Sequence, residues 1–261
     1  MEKLQANTDK ELIMDKLSMH WGVLEKKGWH LAGLFCQGRQ NYKLDCEGDS
    51  VNAYAVVFPG TEHFAYDLPM TAREKLPGGE VVIKDIRLFA KDLLSGWHDI
   101  LELLLTPYRL VGWPYFKPLL NTGLKERLLT YDMPGTVSSL LERAGTLKKH
   151  VHGMPKEGHP LVLAEIQALL SAASSLVDCA KKYEGGIKDA RVVDDFCHAF
   201  LGTFPQAGQP AGMQCFQHDM EVPGKCSQWL ASVKPQEDRQ KETRRMVAEW
   251  VESAFTVFWT K

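Results

Sequence analysis

The sequence lacks several features that would define a class of protein at once. No run of apolar residues approaches the roughly 18 that a membrane span requires. The first residues, MEKLQANTDKEL, contain no apolar core of the secretory type. The 6 cysteines are scattered without CxxC spacing, which favours free thiols over a disulfide framework or a zinc knuckle. These absences predict a cytoplasmic protein without a membrane segment.

Neither sign of charge dominates the composition. The chain of 261 residues has 31 basic and 33 acidic side chains, so its net charge is −2. This balance gives no electrostatic reason to expect binding to nucleic acid or to an anionic membrane. A hydrophobic content of 44% with 25% charged residues is the ordinary composition of a globular protein with a substantial core.

The hydrophobic pattern predicts both helices and strands in the first half of the chain. Apolar residues at helical spacing, after a capping-box pattern at Thr8, predict a helix over about residues 9–27. The apolar runs 29–38 and 51–58 are typical of buried strands, because the first stops at a glycine and the second at a Pro-Gly pair. Between them, QNYKLDC is typical of a short helix or turn.

A third strand is predicted to run directly into a helix. The segment EVVIKDIRLFAKDLLSG begins with β-branched residues and continues at helical spacing to Gly96, with Asp85 placed as the N-cap. WHDILELLLTPY predicts a further helix that stops at Pro107. The proline- and glycine-rich residues 60–79 predict a loop.

Strand signals fade beyond about residue 120. Helical periodicity there predicts four helices, at 134–150, 160–184, 189–202 and 236–257. We therefore predict an α+β protein: residues 1–120 form a small mixed sheet with flanking helices, and residues 121–261 form a helical domain.

Three motifs in the first half carry a resemblance. They read LFCQGRQNYKLD, GDSVNAYAVVFP and IKDIRLFAKDLLSGWHDILELLLTPY. In order and spelling they resemble the predicted nucleotidyltransferases of the DNA polymerase β-like superfamily, in particular a branch found in phages and their bacterial hosts. The resemblance extends over about residues 28–110. The matched positions are Gln37, Gly38, Gln40, Asn41, Tyr42, Leu44, Asp45, Lys84, Asp85, Ile86, Arg87, Leu101, Glu102 and Thr106.

The resemblance implies a fold built for metal-dependent nucleotidyl transfer. Such enzymes move a nucleoside monophosphate from a nucleoside triphosphate while carboxylates hold two Mg²⁺ ions. Two aspartates one residue apart on a strand point to the same face, and a third on the neighbouring strand completes the metal site. A Gly-Ser turn lets backbone amides approach the phosphates.

This sequence departs from the family pattern at each of these positions. The three carboxylate positions fall on Ser50, Asn52 and Val82, and the serine of the turn is replaced by Arg39. The second glycine of the first motif is Lys43. Neutral oxygens and a valine provide no formal charge for divalent cations, so we expect metal catalysis to be lost and no resident cofactor to be bound.

The leading interpretation is a catalytically degenerate homologue that works by binding. Two basic residues at a phosphate-facing turn could hold a nucleoside triphosphate without metal, since guanidinium pairs with phosphate through two hydrogen bonds. The predicted nucleotide-binding residues are Gly38, Arg39, Gln40 and Lys43. A protein partner is the other ligand that this interpretation leaves open.

Two further interpretations remain open. In the first, the chain is an active nucleotidyltransferase whose Mg²⁺ site has moved to carboxylates such as Asp49, Glu80 or Asp85. In the second, it is a structural or interaction protein whose cleft is filled, with Arg39 paired to a nearby acid. The aromatic segment GWPYFKP is a candidate platform for stacking a base, although packing between the two halves of the chain is the commoner role of such a segment.

Overall fold

The structure, a computed structural model, describes most of the chain. The described residues are 10–42, 50–121, 123–151, 153, 159–182, 215–233 and 237–260. Lys43, Asp49 and the helix predicted over 189–202 lie outside them, and of Arg39 only the backbone is described.

Five strands form one mixed sheet. They are β1 (His30–Cys36), β2 (Ala53–Phe58), β3 (Thr71–Leu76), β4 (Gly79–Asp85) and β5 (Arg109–Val111). Their order across the sheet is β3-β4-β2-β1-β5. Strands β2 and β4 are parallel, and the other neighbours are antiparallel. The three strands predicted from apolar runs are therefore confirmed as the centre of the sheet.

The loop predicted over residues 60–79 is wrong in part. It contains a short helix, Thr61–Ala65, and the whole of β3. Strand β3 reads TAREKL and lies at the edge of the sheet, where one of its faces is exposed and the other is only partly buried, so no apolar run marks it. It joins β4 through a tight turn at Gly78, whose φ of +89° suits glycine.

Ten helices are described besides a short 3₁₀ turn at Arg39–Tyr42. They are α1 (Lys10–Lys26), α2 (Thr61–Ala65), α3 (Ile86–Leu93), α4 (His98–Leu105), α5 (Trp113–Asn121), α6 (Gly123–Leu129), α7 (Met133–Val151), α8 (His159–Lys182), α9 (Cys215–Ser232) and α10 (Glu237–Trp259). The α+β class is confirmed. So is the role of Asp85, which caps α3 through hydrogen bonds from the backbone N–H groups of Arg87 and Leu88.

Hydrophobic cores lie on both faces of the sheet. Helix α1 covers one face through Leu17 and Leu24, and helices α3, α4, α5 and α10 contribute to the core on the other. The C-terminal helix reaches the sheet directly: the ring of Phe258 stacks on Phe58 with 4.1 Å between centroids, and Trp250 packs on Phe116. A helix from the second half thus completes the core of the first, while the division at residue 120 stays a prediction.

Helix α8 is long and strongly apolar. Over Val162–Lys182 its length and mean hydropathy of 1.4 are those of a membrane span, which the sequence analysis did not foresee. Yet 56% of its most apolar window is buried inside the protein. The helix packs between α7 and α9, and small buried residues such as Ala172 and Ala173 allow that close approach. This is the environment of a core helix.

Candidate functional site

A cleft opens on one face of the sheet, where the parallel strands β2 and β4 begin. Its larger hollow, of about 660 Å³, is bordered by these strands and by residues of α3 and α4. A second hollow, of about 480 Å³, continues between the turn after β1 and helices α7 and α8. Gln37, Asn52 and Asp99 border both hollows, so the two form one continuous cleft.

The three positions that the resemblance assigns to metal-binding carboxylates all border this cleft. Val82 pairs with Tyr54 in the parallel ladder, and Asn52 precedes Tyr54 by two residues. Asn52, Tyr54 and Val82 therefore lie on one face of the sheet. Asn52 and Val82 border the larger hollow, and Ser50 and Asn52 border the smaller. The side-chain oxygen of Asn52 accepts the backbone N–H of Glu80 at 3.0 Å.

A lysine occupies the next position on the same face of β4. The ammonium of Lys84 lies 2.6 Å from Oδ2 of Asp92, and the hydroxyl of Tyr54 donates to the same oxygen at 2.8 Å. Burial raises the pKa of Tyr54, and the charge of Asp92 adds to this, so the hydroxyl remains a donor. One carboxylate oxygen of the cleft is thereby committed to two donors.

The candidate carboxylates for a displaced metal site are otherwise engaged. Glu80 borders the cleft but pairs with Arg73 at 2.7 Å. Asp49 lies outside the described residues. Among the residues that the structure describes, no group of three or more His, Cys, Asp or Glu side chains is arranged to hold a metal ion.

Asp85 is fully buried and is not among the cleft residues. Its two oxygens accept the backbone N–H groups of Arg87, Leu88 and Met70 at 2.9–3.0 Å, and also the guanidinium of Arg87 at 2.9 Å. Burial alone would raise the pKa of Asp85, but the hydrogen bonds from Arg87, Met70 and Leu88 outweigh it and hold the pKa below its usual value. The carboxylate therefore ties α3 to the segment before β3.

The turn after β1 is held by side chains from the sequence motifs that carry the family resemblance. Gly38, at φ +102°, donates its N–H to Oε1 of Glu102 at 2.7 Å. The amide of Asn41 donates to the same oxygen and to the carbonyl of Cys36, and its oxygen accepts the hydroxyl of Thr106 at 2.5 Å. We call Asn41, Glu102 and Thr106 the turn brace. The sequence marked these residues as matches but assigned them no role.

Of the four residues predicted to bind nucleotide, the structure brings two to the cleft. Gly38 and Gln40 border the smaller hollow. The amide of Gln40 is buried and donates to the carbonyl of Ser50 at 2.8 Å, so this side chain supports the turn. The N–H of Gly38 is already bound by Glu102. The predicted phosphate contacts of Arg39 and Lys43 stay a prediction, because the side chain of Arg39 and the whole of Lys43 lie outside the described residues.

Charges around the cleft are mostly matched in pairs. The basic side chains among its described residues are Arg73, Lys84 and Arg143, and the acidic ones are Glu80, Asp92, Asp99, Glu102 and Glu165. Each basic group pairs with one acid, at 2.7, 2.6 and 3.3 Å respectively. The described part of the cleft therefore has an excess of acid and no preformed cluster of cations.

A serine and an aspartate contact the two ring nitrogens of His98, and His98 and Asp99 border the cleft. Nδ1 of His98 is 3.1 Å from the hydroxyl of Ser139, and its Nε2 is 2.7 Å from Asp99. Burial opposes ionisation of Asp99, but its bond to His98 and the charges of His98 and Arg143 lower its pKa overall. Ser139 is buried in α7, accepts the backbone N–H of His98 and donates to the carbonyl of Thr136. These contacts hold α4 against α7 and present no nucleophile.

One aromatic residue of the cleft escaped the sequence analysis. Trp97, the N-cap residue of α4, is 55% exposed and borders the larger hollow. The aromatic segment that was considered instead lies elsewhere: Phe116 is fully buried in the core, as the packing alternative predicted, and Trp113 is not among the cleft residues. The available signal for Trp97 was its position between a glycine and a helix start.

Similarity to known proteins is weak. No protein-family model and no curated protein matches the chain. Among solved structures, a nucleotidyltransferase-like protein from Exiguobacterium sibiricum is similar to it at 11% identity, over 92% of this chain and 74% of that one, with a TM-score of 0.32. A likeness of that size establishes neither a shared reaction nor a shared ligand. The resemblance to the phage and bacterial branch stays a prediction.

Proposed function

We propose that this chain is a nucleotidyltransferase-like protein that binds a nucleotide in the cleft without performing two-metal nucleotidyl transfer. The observation that carries the proposal is the set of side chains at the metal positions. Ser50, Asn52 and Val82 border one cleft, as the family's geometry requires, but none of them is ionisable.

Physical chemistry argues against two Mg²⁺ ions at this face. Mg²⁺ requires hard oxygen ligands in nearly octahedral geometry and is usually bound through carboxylates. The Asn52 oxygen already accepts a backbone N–H, and Val82 offers no ligand. The ammonium of Lys84 lies on the same face of β4 and raises the energy of any divalent cation placed beside it.

Binding is favoured over a purely structural role because the described side chains leave the cleft open. A hollow of about 660 Å³ is in the range of small-molecule sites. Arg39 and Lys43 add two positive charges to the stretch of sequence that follows Gly38, a residue that borders the cleft. Phosphate oxygens are the natural partners of such a pair.

The test is isothermal titration of each ribonucleoside triphosphate into the protein, in Mg²⁺ and again in EDTA. We expect at least one nucleotide to bind in both buffers. Arg39→Ser should weaken that binding about tenfold or more, since a hydrogen bond to a charged group contributes about 1.5–3 kcal/mol. Arg245→Ser, which removes an exposed arginine of α10, is the matched control and should change nothing.

Each other outcome contradicts the proposal in a different way. Binding that disappears in EDTA would mean that a displaced carboxylate set holds metal, and the chain would be an active enzyme. Absence of binding in both buffers would leave a scaffold whose ligand is a protein. Unchanged affinity in Arg39→Ser would remove the phosphate contact assigned to that residue.

A further inference from the structure

Trp97 stands apart from the other exposed apolar side chains. Among the large hydrophobic residues that are exposed in the described part of the chain, it is the one that borders the cleft. An indole ring that is 55% exposed loses the burial that usually stabilises tryptophan. A ligand that covers the ring would restore this stabilising burial.

Local contacts fix the backbone from which this ring projects. The carbonyl of Trp97 accepts the N–H groups of Ile100 and Leu101 at 3.1 and 3.2 Å, which anchors the residue to the first turn of α4. Gly96 precedes it at φ +70° and packs so closely on Asp132 that an added Cβ would lie 2.8 Å from that side chain. The start of α4 is therefore held in place before any ligand arrives, which lowers the entropic cost of binding.

We propose that Trp97 is the platform on which the base of the bound nucleotide stacks. This inference rests on the proposed function and adds the part of the ligand that is recognised. Because both hollows share Gln37, Asn52 and Asp99, one ligand can extend from the turn at Gly38 to the indole ring. The base then lies in the larger hollow, and the phosphates point towards the turn.

The charges of the cleft make the base the main determinant of affinity. Five carboxylates border the described cleft against three basic groups, and those three are already paired. Inorganic tripolyphosphate has no aromatic face, so only the charges of Arg39 and Lys43 favour its binding against this excess of acid. A purine offers a larger ring than a pyrimidine for stacking. The ligand class is therefore a purine nucleotide.

The experiment titrates ATP, GTP, CTP and tripolyphosphate into the wild type, Trp97→Ala and Trp97→Phe in EDTA. We expect both purine nucleotides to bind more tightly than CTP, and tripolyphosphate at least tenfold more weakly than ATP. Trp97→Ala should weaken ATP binding about tenfold or more, whereas Trp97→Phe, which keeps an aromatic face, should lose about threefold. Trp113→Ala removes a tryptophan of similar exposure, 50%, that is not among the cleft residues, and should leave affinity unchanged.

Failure of this inference is separable from failure of the proposed function. If ATP binds the wild type and Trp97→Ala equally, stacking is refuted while nucleotide binding stands. Tripolyphosphate binding as tight as that of ATP would refute the role of the base in the same way. If no nucleotide binds the wild type, both proposals are overturned. Thermal unfolding of each variant shows whether lost affinity reflects lost fold, which an exposed position does not predict.

Discussion

The turn brace offers the sharpest test of the structure, at Thr106. This residue is fully buried, and its hydroxyl donates to Oδ1 of Asn41 at 2.5 Å while it accepts the N–H of Tyr108 at 3.1 Å. Replacement by valine keeps the shape of the side chain and removes the hydroxyl. Thr106→Val should therefore leave one acceptor and one donor without their partner in a buried site.

The expected magnitude follows from those two groups. A buried polar group that loses its partner costs about 1–3 kcal/mol. Two such groups cost about 2–6 kcal/mol, and the additional methyl group of valine recovers about 1 kcal/mol at a dry site. The net loss of about 1–5 kcal/mol is large beside a typical total stability of about 5–15 kcal/mol.

The assay is urea unfolding followed by far-ultraviolet circular dichroism. Thr106→Val should lower the midpoint without changing the slope, because the surface exposed on unfolding is unaltered. Thr106→Ser is the matched control: it keeps the hydroxyl, loses one methyl group and should cost about 1 kcal/mol. Hydrogen exchange at Asn41, whose N–H is bonded to the carbonyl of Gly38, should accelerate only in the valine variant.

A particular result would refute this reasoning. If valine is tolerated as well as serine, the hydroxyl does not serve two buried partners and the brace does not hold the turn. A large loss of stability with unchanged exchange at Asn41 would be a different contradiction. It would mean that the hydroxyl stabilises the protein through the N–H of Tyr108 and not through the turn at Asn41.

Two further predictions address Asp85 and the metal positions. The pKa of Asp85 is lowered in the folded state, so its contribution to stability is complete above the unfolded value of about 3.9 and is lost as the pH falls below it. Asp85→Asn should cost about 3 kcal/mol at neutral pH, and urea midpoints should converge with the wild type in acid; parallel midpoints at all pH values would contradict the shift. Combining Ser50→Asp, Asn52→Asp and Val82→Asp should create a Mg²⁺ site detectable by titration calorimetry, whereas the matched Ser50→Asn, Val82→Asn variant should bind none. Failure of the carboxylate variant to bind Mg²⁺ would overturn the assignment of the three positions.

Much of the fold was accessible from sequence because its signals are local. Helix α1 follows from apolar periodicity, and β2 follows from a β-branched run that ends at Pro59. Strand β3 was missed because an edge strand with polar residues on both faces has no hydrophobic signature. Strand β5 has three residues, too few for any pattern. Helix α9 was not predicted; it contains Pro223, and proline is disfavoured inside helices.

The cleft also combines features that local sequence predicts with features that depend on tertiary packing. Counting residues along strands placed Asn52 and Val82 on one face, because side chains alternate with a period of two. Hydrogen-bond partners that come from distant segments of the chain cannot be predicted from residue spacing. The bonds of Lys84 to Asp92 and of Gly38 to Glu102 depend on how α3 and α4 pack on the sheet. Trp97 was missed for the same reason, since exposure beside a cleft is a tertiary property.

The motifs contain two kinds of residue with different physical requirements. The residues of the turn brace shape the cleft through buried hydrogen bonds, whatever chemistry takes place there. Clustered carboxylates repel one another unless a metal neutralises them, so they stabilise nothing in a protein that binds no metal. Under the proposed function, a chain that uses the shape of the cleft without the reaction is expected to keep the brace and to lack carboxylates at Ser50, Asn52 and Val82. This asymmetry supports ligand binding over a filled scaffold, because a filled cleft would not require the turn to be held open.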